Sequence, residues 1–338
     1  MNSRERVFAL LEGRSPDRTP NFNILMAFSA RYNGHTYREY ASDYRVLCEC
    51  DIRCSEKFSI DLLSAISDPM REAEGFGANV VLPEDDVPYS PVPLVQDLYT
   101  AKDVLKTYDP YNGRRTEDRL RAVEYFRKNG GEYAVGGWVE GAFAECCDLR
   151  GINDFLADVA CEEPEAIHDM LRIACEQAAR FAVEQVRAGA DIIGIGDAAT
   201  SLISPDMYRE FALPYQKKIV EAVHAAGGRT KLHICGNTTA VLPYMIETGT
   251  DIVDLDWMVD LRRAKEIIGG RNTVISGNYD PVAVLLQGTP GSVRESVLAC
   301  RAAVPSNYIS SAGCEVPRDT PPENLLAVAD ALKEEAKA

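Results

Sequence analysis

The feature that most constrains this chain is an alternation of short apolar runs and helical stretches, which recurs eight times along the sequence. Most of the runs are nearly continuous in apolar residues, as expected for parallel strands buried on both faces. Eight such alternations predict an α/β fold of the closed (β/α)8 barrel type rather than an open doubly wound sheet. The predicted strands are Asn21–Met26, Ile60–Ile66, Tyr133–Val139, Asp191–Gly196, Thr230–Ile234, Asp251–Leu255, Thr273–Ser276 and Tyr308–Ser311.

The stretches between these runs carry helix start and stop signals. Pro164–Ala188 opens with proline in its first turn, and Ser204 offers an N-cap directly before Pro205. Glycine follows closely after Thr238–Glu247 and Leu261–Ile268, where its tolerance of positive φ suits a helix C-terminus. Further predicted helices are Ser292–Ala303 and Glu323–Lys337.

Length and composition favour one barrel domain over residues 1–338. The chain is 46% hydrophobic, which is ample for a large buried core. Barrels of this type often run to such lengths as one unit. No Gly/Ser linker, low-complexity segment or abrupt change of composition divides the sequence.

The charge balance limits the partners that the chain can have. It carries 36 basic and 52 acidic side chains, a formal net charge of −16, which repels nucleic acid and anionic membrane surfaces. The N-terminus lacks the apolar stretch of a secretion signal, and no apolar run reaches the roughly 18 residues of a membrane span. We therefore expect a cytoplasmic protein whose ten cysteines are thiols or metal ligands, with neither nucleic acid nor a membrane as partner.

Polar side chains gather where the predicted strands end. In barrels of this type the chemistry lies at the C-terminal ends of the strands, so these side chains should line one pocket. In chain order they are Arg31, Tyr32, Asp68, Glu140, Asp197, His233, Cys235, Asp256, Asn278 and Cys314.

His233 and Cys235 form the sharpest local signal, because residues two apart on a strand point to the same face. Cys314, at the end of the last predicted strand, is the candidate third ligand. One imidazole and two thiolates suit Zn²⁺, whose catalytic sites keep three protein ligands and an open position. The alternative is a hydrogen-bonded core histidine beside cysteines that only pack.

Two other patterns are weaker. Gly194-x-Gly196-x-x-Ala199 matches a loose dinucleotide fingerprint, but no acidic residue ends a partner strand about 20 residues later, as the ribose contact would require. We interpret these glycines as tight packing at a strand end. Cys146 and Cys147 are adjacent, and adjacent residues rarely point at one ion, which disfavours a redox or ligand role for them.

Taken together, these segments resemble the uroporphyrinogen decarboxylase superfamily, and most closely its corrinoid-dependent methyltransferase branch. The resemblance covers nearly the whole chain and is strongest in Leu-His-Ile-Cys-Gly-Asn at 232–237, Gly-Asn-Tyr-Asp-Pro at 277–281, and Gly313-Cys314. It implies the (β/α)8 fold. It also implies zinc on His233, Cys235 and Cys314, as in the methyltransferase branch.

The decarboxylases of this superfamily differ where their chemistry lies. They bind the carboxylates of a porphyrinogen with two arginines after the first strand and need no metal. Here Arg31 and Tyr32 fit that segment, but Ala27 stands where the first arginine would be. Asp68 aligns with their catalytic aspartate. The chain thus keeps the aspartate, lacks one of the two arginines that bind carboxylates, and has three candidate metal ligands. This combination favours methyl transfer over decarboxylation.

The resulting expectation is a zinc-dependent enzyme that moves a methyl group between a corrinoid, such as methylcobalamin, and a small thiol-type or other acceptor. A separate corrinoid protein is the expected partner. Identity of the small substrate, direction of transfer and oligomeric state stay open. A carboxy-lyase and a non-catalytic barrel that binds a corrinoid or tetrapyrrole are the alternatives. The expected catalytic residues are Asp68, Glu140 and Asp197, and the expected substrate-binding residues are Arg31, Tyr32, Asp256 and Asn278.

Overall fold

A curled sheet of seven parallel strands forms the centre of the molecule, in the order β1 to β7, so that each strand pairs with the next along the chain. The structure is a computed structural model and describes residues 1–335. Five of the strands are buried along their whole length, which explains their apolar sequences. The strands are β1 Leu62–Ser64, β2 Ala134–Glu140, β3 Ile192–Gly196, β4 Arg229–Ile234, β5 Ile252–Leu255, β6 Val274–Tyr279 and β7 Tyr308–Ala312.

Helices connect the strands and cover the outside of the sheet. They are α1 Ser3–Leu11, α2 Met26–Tyr32, α3 Tyr37–Ser42, α4 Tyr44–Phe58, α5 Met70–Phe76, α6 Ala101–Val104, α7 Arg114–Asn129, α8 Ala142–Arg150, α9 Ile152–Cys161, α10 Pro164–Ala188, α11 Pro205–Phe211, α12 Leu213–Ala225, α13 Leu242–Glu247, α14 Leu261–Ile268, α15 Pro290–Ala303 and α16 Pro322–Glu335. Short 3-10 turns at Leu98–Thr100 and Ala198–Leu202 and a π-turn at Pro281–Leu286 complete the elements.

The segment before α2 occupies the eighth position of the barrel, although it forms only an isolated bridge. Phe22 N donates to Ser310 O of β7 at 2.9 Å, and Asp61 N, just before β1, donates to Asn21 O at 2.8 Å. These bonds connect both edges of the sheet through one segment. The predicted strand Asn21–Met26 is therefore shorter than expected, because Leu25 already has right-handed helical dihedrals and α2 begins at Met26.

The helix signals mostly mark the observed helices. Ser204 Oγ accepts from Met207 N at 3.2 Å as the N-cap of α11, and α10 has the predicted bounds. The helix predicted from Thr238 begins only at Leu242, after a turn. Of the predicted helix Glu323–Lys337, the part beyond residue 335 lies outside the described residues. In residues 1–335 no helix is long and apolar enough to cross a membrane.

Candidate metal centre and active site

His233, Cys235 and Cys314 meet at the carboxyl end of the sheet. His233 is the penultimate residue of β4, Cys235 follows that strand, and Cys314 follows β7. Nε2 of His233 lies 3.2 Å from Sγ of Cys235, which lies 3.8 Å from Sγ of Cys314. All three donor atoms lie within 4.8 Å of one another. Three residues that are far apart in the sequence therefore offer one nitrogen and two sulfur atoms to a common point.

Two glycines allow the loops that carry the candidate ligands to approach each other and their neighbours. Gly236 has a φ of +87°, and its N donates to Asp256 Oδ2 at 2.7 Å. A Cβ on Gly313 would lie 2.3 Å from the backbone N of Trp257. Since neither position tolerates a side chain at low cost, the loops after β4, β5 and β7 are packed tightly around the ligand residues.

Asp254 stands behind the imidazole. The register between β4 and β5 pairs His233 with Asp254. Nδ1 of His233 lies 3.1 Å from Asp254 Oδ2, which is an ion-pair contact and not a well-aligned hydrogen bond. Lys231 Nζ donates to the same oxygen at 2.7 Å. Burial alone would raise the pKa of Asp254, but the Lys231 ammonium and His233 hold that pKa well below its usual value. A charged carboxylate thus faces the side of the imidazole away from the thiols.

The contact between the two thiols shifts their pKa values in opposite directions. The hydrogen bond from Cys235 lowers the pKa of the Cys314 thiol to about 4 against the opposing effect of burial, and His233 adds to that shift. The same contact raises the pKa of Cys235. The pKa of His233 rises to about 10, because contacts with Asp254 and Cys314 outweigh its burial. Two half-buried cysteines beside an imidazole that has a carboxylate behind it fit the donor set of a zinc site.

Glu140 ends β2, two strands away from His233 in β4 and at the same end of the sheet. Trp138 Nε1 donates to Glu140 Oε1 at 3.2 Å, and the ring of Trp138 lies 6.3 Å from the His233 ring. Arg71 Nη2 lies 3.4 Å from the same Oε1. Burial raises the pKa of Glu140 to about 8 although Arg71 opposes the shift. Glu140 is therefore a carboxyl group that can hold a proton at neutral pH, at the same end of the sheet as the candidate metal centre.

The Gly194 and Gly196 pair of the loose fingerprint accommodates this tryptophan. A Cβ on Gly194 would lie 2.1 Å from the Trp138 ring, and one on Gly196 would lie 3.0 Å from it. The structure thus agrees with the interpretation of these glycines as packing residues.

Asp68 is fully buried and paired. It contacts Arg115 in a short ion pair, and Ser67 Oγ donates to its Oδ2 at 2.8 Å. Burial would raise the pKa of Asp68, but Arg115 and Arg71 lower it. The residue is therefore held as a carboxylate by cations on α7 and α5.

Asp197 follows β3 and ties two helices to the sheet. Its carboxylate accepts hydrogen bonds from Ala144 N at 2.8 Å and from Gln216 Nε2 at 2.7 Å. Burial raises the pKa of Asp197 to about 6. These contacts describe a residue that fixes α8 and α12 in place, and a direct role in catalysis remains a prediction.

Asp256 and Asn278 organise the turn after β5. Asp256 accepts from Gly236, and Asn278 Nδ2 donates to Asp256 O at 2.9 Å and to Val259 O at 2.6 Å. Both side chains are buried. Their described contacts position the loops that border the metal centre, and binding of substrate by them stays a prediction.

Arg31 and Tyr32, at the end of α2, have other partners. Arg31 is 60% exposed and its Nε lies 2.8 Å from Asp319 Oδ1. Tyr32 stacks on Phe28 and meets Phe58 edge-on. Their assignment to substrate binding remains a prediction that these contacts do not support.

Cys146 and Cys147 lie buried in α8, and all ten cysteines of the chain are free thiols. Burial is the main cause that raises the pKa of both thiols. Neither is poised for thiolate chemistry.

The sequence did not single out Arg71, Arg115, Trp138, Lys231 or Asp254. Their positions beside Asp68, Glu140 and His233 depend on tertiary contacts. The signal that could have identified Asp254 is its place one residue before the end of β5, which matches the place of His233 in β4.

A family model described as uroporphyrinogen decarboxylase matches residues 2–335 of the chain. The chain belongs to the uroporphyrinogen decarboxylase family. Among curated relatives of this family member, a methylcobamide:CoM methyltransferase of Methanosarcina mazei is 32% identical over 268 residues, which cover 78% of this chain and 76% of the relative. A uroporphyrinogen decarboxylase of Synechococcus sp. is 25% identical over 354 residues, which cover 98% and 94% of the two chains.

The fold of this family member is that of a solved methyltransferase from Methanosarcina mazei. The two chains superpose with a TM-score of 0.90, cover 99% of each other and are 22% identical. The predicted α/β barrel class and the predicted family are therefore confirmed.

Proposed function

We propose that this chain is a corrinoid-dependent methyltransferase that moves a methyl group between a corrinoid and a small thiol-type or other acceptor. The observation that carries the proposal is the convergence of His233, Cys235 and Cys314 donor atoms within 4.8 Å. The methyltransferase named among the relatives supports the assignment, because it is more similar in sequence than the decarboxylases.

His233, Cys235 and Cys314 would hold a zinc ion. When bound, such an ion lowers the pKa of a coordinated thiol and supplies a thiolate nucleophile at neutral pH. Asp254 holds the His233 ring by its Nδ1 side, so that Nε2 faces the two sulfur atoms. Lys231 keeps Asp254 ionised. These contacts fix the donor set before any substrate arrives.

Glu140 is the residue proposed to accept the proton that a substrate thiol loses. Its raised pKa of about 8 allows it to bind and release a proton near neutral pH. Arg71 and Trp138 hold its Oε1. Asp68 and Asp197 would act indirectly, by holding the helices that carry Arg115 and Gln216.

The corrinoid is a substrate in this proposal, and a separate corrinoid protein presents it. We place the reaction in the cytoplasm, because the two ligand thiols must stay reduced. Arg31, Tyr32, Asp256 and Asn278 remain the candidates for contact with the small substrate, and either direction of transfer is compatible with the site.

An anaerobic demethylation assay tests this function. Zinc-loaded protein is mixed with methylcobalamin and one member of a thiol panel, and loss of the methyl–cobalt absorbance is followed. We expect thiol-dependent demethylation that Cys314→Ala abolishes. Cys161→Ala changes an exposed thiol outside the metal centre and is the matched control that should keep the activity.

The alternative carboxy-lyase predicts a different pair of results. Zinc-loaded protein would leave methylcobalamin intact with every thiol, while metal-free protein would release CO2 from uroporphyrinogen. That combination would overturn the methyltransferase proposal. A chain that binds cobalamin tightly and turns over neither substrate would support the non-catalytic carrier.

A further inference from the structure

Large apolar side chains are exposed in the loops that follow β3, β5 and β6, at the same end of the sheet as the metal centre. Leu202 is 62% exposed, Trp257 46%, Met258 49% and Val282 46%. We call these four residues the apolar rim. Single exposed apolar residues are ordinary, but a group of them around one site marks a surface that binds something.

Parts of the apolar rim lie directly against the loops that carry the candidate ligands. A Cβ on Gly236 would lie 3.4 Å from Ser201 Oγ, so the turn that ends in Leu202 packs on the residue after Cys235. The backbone N of Trp257 packs on Gly313, the residue before Cys314. Leu202 and Trp257 therefore lie in turns that pack against the loops carrying Cys235 and Cys314.

The turn that carries Trp257 and Met258 is fixed although both side chains remain in solvent. Asp256 at its start is anchored to Gly236 N, and Asn278 Nδ2 donates to the carbonyl groups of Asp256 and Val259 at 2.9 and 2.6 Å. Val259, at the end of the turn, is buried. A fixed turn that presents two large apolar side chains to water is already arranged for a ligand, since little conformational entropy remains to be lost.

We propose that the apolar rim binds the face of the corrin macrocycle, with Trp257 as its main contact. This inference rests on the proposed function. The methyl group to be transferred sits on cobalt at the centre of a broad, flat ring. When that methyl group is brought to a nucleophile at the metal centre, the ring must cover the surfaces beside Cys235 and Cys314.

The chemistry of the rim suits this occupant. An indole offers a flat apolar surface of large area, and methionine adapts its shape to irregular faces. The apolar rim lies beside the loops that carry Cys235 and Cys314, and the reaction brings the corrin ring itself against these loops. This position favours the macrocycle over a protein surface as the occupant of the rim.

Cobalamin binding without turnover tests the proposal. Zinc-loaded protein is dialysed to equilibrium in the dark against methylcobalamin in the absence of thiol, and zinc content is measured in parallel. We expect Trp257→Ala to raise the dissociation constant about tenfold, as for an aromatic anchor of an interface. Leu202→Ala should raise it about threefold, and Trp257→Phe should restore part of the loss.

Tyr111→Ala is the matched control. Tyr111 is 41% exposed, in the turn before α7 and outside the loops of the apolar rim, and its removal should leave the dissociation constant unchanged. Zinc content should equal that of the wild type in all four variants.

Equal cobalamin affinity of wild type, Trp257→Ala and Leu202→Ala would overturn the rim proposal, as would a wild type that does not bind methylcobalamin. If Trp257→Ala lost zinc, the test would rest on the cobalamin dissociation constants of Leu202→Ala and Trp257→Phe, and values equal to that of the wild type would overturn the proposal. If the wild type demethylates methylcobalamin with a thiol but the rim variants bind cobalamin as tightly as the wild type, the rim proposal is wrong and the proposed function stands. Failure of zinc binding and of demethylation in the wild type would instead refute the function itself.

Discussion

Replacing Asp254 by asparagine tests how the buried polar residues prepare the metal centre. Asp254→Asn removes the negative charge of a carboxylate whose Oδ2 lies 3.1 Å from His233 Nδ1 and 2.7 Å from Lys231 Nζ. Loss of such a carboxylate behind a ligand histidine typically weakens metal affinity 10- to 100-fold, which corresponds to roughly 1.4–2.8 kcal/mol. We therefore expect the zinc dissociation constant to rise by about that factor, as measured by competition with a chromophoric chelator.

The same change leaves Lys231 as a buried cation without its carboxylate. Its side chain is only 3% exposed, and breaking such a pair costs about 3–5 kcal/mol of folding free energy. The Lys231 ammonium keeps its position 5.3 Å from the centre of the Trp138 ring, which favours the lower end of that range. Urea unfolding of the metal-free protein should report a loss of about 3 kcal/mol.

A double variant separates the two effects. Lys231→Met together with Asp254→Asn removes both charges, so most of the stability should return while zinc affinity stays low. The reasoning fails if Asp254→Asn binds zinc within about twofold of the wild type. It also fails if the double variant regains wild-type zinc affinity, because His233 would then need no carboxylate behind it.

Three further changes test the loops and the buried carboxyl groups. Gly313→Ala should destabilise the protein by about 1–3 kcal/mol in urea unfolding and weaken zinc binding, because the new Cβ would lie 2.3 Å from Trp257 N. Unchanged stability and unchanged zinc affinity would refute the close packing. Asp197→Ala should cost about 2–3 kcal/mol, since Gln216 Nε2 loses its buried acceptor, and a loss smaller than about 0.5 kcal/mol would contradict this. The pKa of Glu140 is about 8 in the folded state, above its unfolded value, so ionisation of Glu140 lowers the free energy of unfolding of the wild type as pH rises from about 5 to 8. Glu140→Gln should therefore become more stable relative to the wild type over that range. A stability difference that does not change with pH would argue against the raised pKa.

The meeting of His233, Cys235 and Cys314 at one point could be predicted, because it depends on two regular features of this fold. Residues two apart in a strand share a face, and strand ends of a parallel barrel meet at one mouth. His233 and Cys235 follow the first rule and Cys314 the second. The first predicted strand, Asn21–Met26, forms only an isolated bridge, because its apolar pattern does not reveal that α2 begins at Met26. The second, Ile60–Ile66, is reduced to Leu62–Ser64.

The residues around the ligands could not be predicted, because they depend on register and on buried charge. The pairing of His233 with Asp254 follows from the alignment of β4 with β5, which no local pattern specifies. Arg71 and Arg115 are almost fully buried, whereas arginine in a sequence predicts exposure. Arg31 has the right residue type after the first apolar run, but its described partner is Asp319 at the surface.

Metal content with X-ray absorption spectroscopy is the measurement that tests the zinc centre most directly. The purified wild type should hold one zinc per chain, with two sulfur neighbours at about 2.3 Å and at least one nitrogen neighbour at about 2.0 Å. Cys235→Ala and Cys314→Ala should each lose the metal, while Cys161→Ala should keep it. A wild type that binds no zinc when it is supplied, or a zinc shell without sulfur, would contradict the account.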